Sequence, residues 1–258
     1  MILTGDYHTH TPYSHGKNSV EENVAKAAEL GLKQIAISDH GFSHVAFGLR
    51  LWQLQKYIKE CKEAAKKYGI DVLVGVESNI KGVTGSADLK PADYENFDVY
   101  LCGNHLFIWY ETLYDWAYYG LGNVFSRKFK KQPSQKMIDY NTKAYINAIK
   151  NNPIDVVTHL NFLCPCNTLE VAKCATDYGT YIELNSKKRH VTDDELMEIV
   201  QKTDARFIIN SDAHTASRVG DTKIVEEQLN RLNFPMDRID NIEGRYPNFR
   251  FTEFKKHL

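Results

Sequence analysis

The chain has no uninterrupted apolar run near the roughly 18 residues that a membrane-spanning helix needs, so no membrane partner is expected. Its five cysteines are odd in number and lack the spacing of a disulfide framework, which points to reduced thiols. Cys164-Pro165-Cys166 has no second pair to complete a thiolate metal site, so packing thiols are expected there. Net charge is nearly missing too: 32 Lys and Arg against 33 Asp and Glu leave −1 at pH 7, which argues against a dedicated polyanion binder. The N-terminus carries no basic, apolar, small-residue leader pattern, so the expected location is the cytoplasm. No low-complexity segment and no internal domain boundary is visible, and residues 1–258 are expected to form one domain.

What is present is a regular alternation. Apolar runs that end in turns are followed by amphipathic stretches, seven times over, at a spacing of about 30 residues. The strand candidates begin at Ile2-Leu3 and continue with 34–39, 71–77, 98–104, 154–159, 181–185 and 207–210. Helices are expected from Ser19 to Gly31, over 51–67, 134–150 and 168–178, after the capping box Thr192–Glu195, and over 221–232, with a short tail behind. This pattern predicts a parallel sheet with crossover helices, an α/β architecture that 258 residues can close into a barrel.

Most histidines gather at the C-terminal ends of those strands, the face on which barrels build chemistry. His8 and His10 follow the first run, with His15 just beyond, and His40 ends the second. Glu77 ends the third, His105 the fourth and His159 the fifth, while Asp212 and His214 end the seventh. Alternate residues of an extended segment share a face, so His8 and His10 can reach one ion. A carboxylate has two oxygens and can bridge two ions, a role open to Glu77. Imidazole and carboxylate suit zinc, manganese or iron. His44 and His190 lack strand-end placement and are read as supporting or substrate-contacting groups, and His257 as inert.

Residues 106–145 stand out by composition, with Trp109, Tyr110, Tyr114, Trp116, Tyr118, Tyr119 and Phe125 before the basic run Arg127–Lys131. They read as an insertion on the catalytic face, either a helical hairpin on the rim or a lid over the site.

The segments 6–11, His15, 38–41, Glu77, 104–105, 158–159 and 210–215 together resemble the PHP (polymerase and histidinol phosphatase) superfamily, nearest to its stand-alone phosphatases. The resemblance implies a distorted seven-stranded (β/α) TIM-like barrel, a PHP fold, with a trinuclear site. One ion would take His8, His10, Glu77 and Asp212, a second His15, His40 and His214, and a third would share Glu77 with His105 and His159. The ions would be divalent, zinc foremost, with manganese or iron as alternatives.

Such a site suits hydrolysis of a small phosphomonoester by a metal-bridging hydroxide, with Glu77, Asp212 and His214 in catalytic roles and Asp212 or His214 orienting the water. Arg218 is the first candidate for holding the phosphate, followed by Lys187 and Arg189, with Lys17 and Arg50 behind them. Histidinol phosphate in particular, or nucleic-acid ends attacked by a 3′–5′ exonuclease, are the alternative substrates. Nucleic acid is the less expected partner at this net charge. An amidohydrolase would bridge its ions with a carboxylated lysine, and Glu77 stands in that position instead. The sequence leaves the oligomeric state open.

Overall fold

The structure is a computed structural model that describes residues 1–129 and 132–258, with the side chain of Arg127 outside the description. The basic run Arg127–Lys131 therefore lies partly outside the described residues. Seven strands run parallel in chain order, β1 (Gly5–Asp6), β2 (Gln34–Ile37), β3 (Asp71–Asn79), β4 (Val99–Gly103), β5 (Val156–Val157), β6 (Tyr181–Asn185) and β7 (Phe207–Asn210). They form the expected α/β barrel, nearly closed. The seam between β1 and β7 is bridged just past the strands, where Thr9 pairs with Ala213 and the His10 amide donates to the Ala213 carbonyl at 2.8 Å. The ladder thus fastens His8 and His10 directly beside Asp212 and His214. Behind the seam the Asn241 side chain accepts from the Ile209 amide and donates to the Gly5 and Ile209 carbonyls.

The helices form where the caps and periodicity place them. α1 (Val20–Glu29) opens on a capping box of Ser19 and Glu22. α2 (Leu54–Tyr68) closes on Gly69 at φ 67°, a left-handed position that glycine occupies without strain. Residues 51–53, expected inside that helix, form a separate 3-10 turn. After β4 come α3 (Leu113–Asp115), a π-helical turn (Trp116–Leu121), α4 (Gly122–Lys128) and α5 (Gln135–Asn151). α6 (Thr168–Tyr178), α7 (Asp193–Lys202) with its Thr192–Glu195 capping box, and α8 (Lys223–Leu232) follow.

Within the stretch 106–145, α5 is the crossover from β4 to β5, which leaves the described residues 106–129 and 132–134 as the segment between β4 and that helix. It is anchored from below. Asp115 accepts from the Val83 amide at 3.0 Å and from the Tyr140 hydroxyl, and Asn123 and Asn141 exchange amide hydrogen bonds at 3.0 and 2.9 Å.

Inside the barrel, alternate strand residues Ala36, Val99, Leu101, Val156, Tyr181 and Ile208 pack together with Tyr7 and Phe249. Their neighbours Ile35, Tyr100, Cys102 and Ile182 face the helices. The C-terminal stretch is more than the tail expected of it. Phe249 closes the barrel floor against Tyr7 at 5.0 Å, and α9 (Arg250–Lys255) seats Phe251 between Tyr94 and Tyr100 at 5.1 and 5.5 Å. Phe249 sits in irregular chain and Phe251 in a helix of only six residues, both stretches too short for hydrophobic periodicity to give a signal.

Candidate metal centre

The centre is built where the ladders run out. An isolated parallel bridge joins His40 to Glu77, extending the β2–β3 pairing into the site. His159 and Asp212 stand at φ 30° and 48°, left-handed backbone that non-glycine residues adopt at a cost. Both belong to the expected ligand set, and strain of this kind gathers at functional sites.

Glu77 is the hub. It is fully buried, and its two oxygens address different neighbours. Oε1 lies 2.7 Å from His159 Nε2 and 3.3 Å from His105 Nε2. Oε2 lies 2.8 Å from His40 Nδ1, 3.2 Å from His8 Nε2 and 3.6 Å from His10 Nε2. Asp212 Oδ1 completes the inner set, 3.5 Å from His10 Nε2, 3.9 Å from His8 Nε2 and 3.2 Å from His214 Nδ1. His15 joins at the open side, its Nε2 2.6 Å from His214 Nε2. All nine expected residues therefore converge. Within them, four groups of three have donor atoms within 4.8 Å of one another: His8, His10, Asp212; His8, Glu77, His159; His10, His40, His214; and His40, Glu77, His105.

The bonding of these atoms fits cations. His8 Nε2, His10 Nε2, His40 Nδ1 and Glu77 Oε2 are buried and make no hydrogen bond, although Glu77 Oε2 sits within 3.6 Å of all three nitrogens. Buried polar atoms left without partners are costly and rare in folded proteins. Two imidazole nitrogens 2.6 Å apart, as in His15 and His214, need a proton or a cation between them. On three of the rings the opposite nitrogen is held: His8 Nδ1 meets Glu183 at 2.7 Å, His105 Nδ1 meets Asn79 Oδ1 at 2.8 Å, and His214 Nδ1 meets the Asp212 carbonyl at 2.9 Å, whereas His159 Nδ1 has no hydrogen bond. Such partners fix the N–H on Nδ1 and turn the Nε2 lone pair inward, the usual support of metal-binding histidines.

Electrostatics agree. Burial would push the Glu77 carboxyl up, but His105, His8, His159 and His40 around it hold it well below the usual carboxylate range. Burial likewise opposes ionisation of Asp212, and His8, His10 and His214 overcome it. Burial, aided by neighbouring imidazoles, keeps His10 and His40 well below the usual imidazole value, hence neutral and able to ligate. His8 is the exception. Burial works against a positive ring, yet Glu77, Glu183 and Asp212 raise it well above the usual value, so the pocket asks for positive charge there.

Other expected residues divide. Lys187 reaches the centre, with Nζ 3.3 Å from Asp212 Oδ1 and 3.2 Å from His214 Nδ1. Arg218 turns aside: its guanidinium donates to the Ser186 carbonyl and pairs with Asp221, each at 3.0 Å. Arg189 lies 4.0 Å from Asp193, Arg50 donates to the Val45 carbonyl, and Lys17 meets His214 only through its backbone amide. His44 stacks on His40 at 5.2 Å, and His190 stands 5.9 Å from His159. All five cysteines are free and buried, and none belongs to a candidate metal group among the described residues.

Glu183 is the residue that the sequence reading missed. It is buried within β6 and accepts from His8 Nδ1, the His159 amide and the side chains of Asn185 and Asn210, all within 3.0 Å. The available signal was one acidic residue between Ile182 and Leu184 in a strand buried on both faces, where a carboxylate is unstable unless partnered.

A profile of the PHP domain matches residues 6–187. The chain belongs to the PHP family. It is 30% identical over 230 residues to a probable phosphatase of Thermoanaerobacter sp. strain X514, covering 85% of this chain and 82% of that one. A probable phosphatase of Shewanella halifaxensis is 27% identical over 245 residues, covering 92% of this chain and 87% of its own length. Among solved structures, the histidinol phosphate phosphatase of Lactococcus lactis, complexed with zinc, L-histidinol and phosphate, superposes with a TM-score of 0.61 at 14% identity, over 91% of this chain and 95% of that one. At that identity the likeness speaks for the fold, which is the PHP barrel expected from the sequence.

Proposed function

We propose that the chain is a metal-dependent phosphatase that hydrolyses small phosphomonoesters at a centre of three divalent ions, zinc foremost. One observation carries this reading: the two oxygens of Glu77 face separate sets of imidazoles, and Oε2 has no hydrogen bond. On the resemblance to the family, His8, His10, Asp212 and Glu77 would hold one ion, His15, His40 and His214 a second, and Glu77 with His105 and His159 a third. His40 Nδ1 also reaches Glu77 Oε2, so it stands between two of these sites. The names of the relatives, and the zinc and phosphate of the Lactococcus enzyme, favour phosphate chemistry over other hydrolysis.

Bound ions supply positive charge for the phosphoryl oxygens and acidify the attacking water. The residues do the positioning. Glu77 holds two imidazole sets at one spacing. Asp212 and His214, the latter at the open side, are the groups that orient the water and take its proton. Among the described residues Lys187 is the cation nearest the centre, and it is the group that binds the phosphate, ahead of Arg218, whose guanidinium is already engaged. The test is phosphate release from a panel containing histidinol phosphate, other small phosphomonoesters and single-stranded DNA. The expected result is release from phosphomonoesters, lost on chelation and restored by zinc or manganese. Fully metallated protein that releases no phosphate from any of them would end the reading.

A further inference from the structure

Beside the metal centre runs an apolar groove of about 660 Å³, lined by Val45, Phe107, Trp109, Leu113 and Trp116 among others. A volume of this order suits a ring-bearing small molecule. The wall between groove and centre is a short antiparallel ribbon. His44 pairs with Ile108, the Val45 amide donates to the Phe107 carbonyl at 2.8 Å, and the Trp109 amide donates to the Ser43 carbonyl at 2.9 Å. His44 and Ile108 are buried, and His44 stacks on His40. Val45, Phe107 and Trp109, the alternate residues, are 44, 73 and 67% exposed and line the groove. Phe47, two residues past Val45, lies 5.3 Å from His15 and 5.4 Å from His44 while half open to solvent, so an exposed aromatic also stands on the metal-centre side of the ribbon.

Three observations say what the groove takes. All three tryptophans of the chain, Trp52, Trp109 and Trp116, are exposed on 45–52 or 107–116, the two segments that meet at this ribbon, and two of them line the groove. Phe107 is held at φ 59°, a strained backbone for a bulky residue that keeps its ring outward. Among the described residues the only charged one lining the groove is Glu111, so an anion is repelled from that lining while the adjacent centre attracts it. A ligand with an anionic end and an apolar end therefore has one favoured orientation.

We infer that the groove binds the apolar, ring-bearing end of the substrate's leaving group, which makes the enzyme selective for phosphomonoesters of aryl-alkyl alcohols over those of small polar alcohols. This deepens the phosphatase reading and rests on it for the anionic end of the ligand. The test compares 2-phenylethyl phosphate with ethyl phosphate, whose alcohols have similar acidity, so that kcat/KM reports binding of the ring. The expected preference is about tenfold or more, by the usual worth of a filled apolar pocket. Trp109→Ala should bring the ratio down at least about fivefold, an estimate on the same footing, whereas Tyr246→Ala, an exposed aromatic outside the groove, should leave it as it was. A ratio near one in the wild type, or an undiminished ratio in Trp109→Ala, overturns the inference. Binding of the two corresponding phosphonates, followed by the fluorescence of Trp109 and Trp116, decides the same question without turnover. Tighter 2-phenylethylphosphonate binding with no hydrolysis of either ester keeps the groove and removes the phosphatase reading. Equal or absent binding of both phosphonates removes the groove.

Discussion

Three buried aspartates, Asp6, Asp39 and Asp88, and the buried Glu77 are treated in opposite ways. Behind the strand ends, Asp6, Asp39 and Asp88 are surrounded by ordinary donors. Asp6 accepts from the Ser211 and Gly220 amides, Asp39 from the amide and hydroxyl of Thr11, and Asp88 from the amide and hydroxyl of Ser43 and from Asn79. At the mouth, Glu77 has five imidazoles near its oxygens and one oxygen with no hydrogen bond. The first arrangement is complete without an ion and ties loops together. The second leaves a carboxylate oxygen and three ring nitrogens around it without hydrogen bonds. Glu77 Oε1 still accepts from the Thr158 hydroxyl at 2.9 Å, so the difference lies at Oε2, which faces three ring nitrogens and no hydrogen-bond donor, and under the proposed reading that is the oxygen left for an ion.

The contrast can be broken at several points. The largest effect belongs to Glu77→Gln. It should lose at least two of the bound ions and lower kcat/KM by about a thousandfold or more, read by metal analysis and phosphate release; ion content equal to wild type would erase the distinction drawn above. Glu183→Ala comes next. Loss of the carboxylate that fixes His8 should weaken metal affinity by about 10–100-fold, with Glu183→Gln recovering part of it, measured by competition with a chelator. Lys187→Met is expected to raise KM by about tenfold at unchanged ion content, on the scale of one lost charged contact. An unaltered KM would return Arg218 to first place as the phosphate-binding cation. Asp6→Asn should act on the other group: a loss of about 1–3 kcal/mol in unfolding free energy, seen in denaturant titration, while the refolded protein binds its full set of ions.

How far the sequence could be read follows the same line. His8, His10, His40, Glu77, His105, His159, Asp212 and His214 were legible because a parallel barrel exposes strand ends on one face, and residue order alone puts them there. Glu183 was hidden because its meaning lies in what it touches across the barrel, not in its position along β6. Arg218 looked well placed four residues after His214, but the 3-10 turn Ala216–Arg218 carries its side chain toward Ser186 and Asp221. The aromatic run after His105 announced an insertion, yet its anchoring through Asp115 and Asn123 depends on residues 83, 140 and 141, which no local pattern links to it. Strand-end chemistry is written in order along the chain, and support across the barrel is written in pairs that only folding reveals.

The most direct measurement is anomalous diffraction from crystals of metal-replete protein. The account predicts three ion peaks among the nine converging side chains, two of them sharing Glu77 through different oxygens; an unbound Glu77 with the metals elsewhere would contradict it.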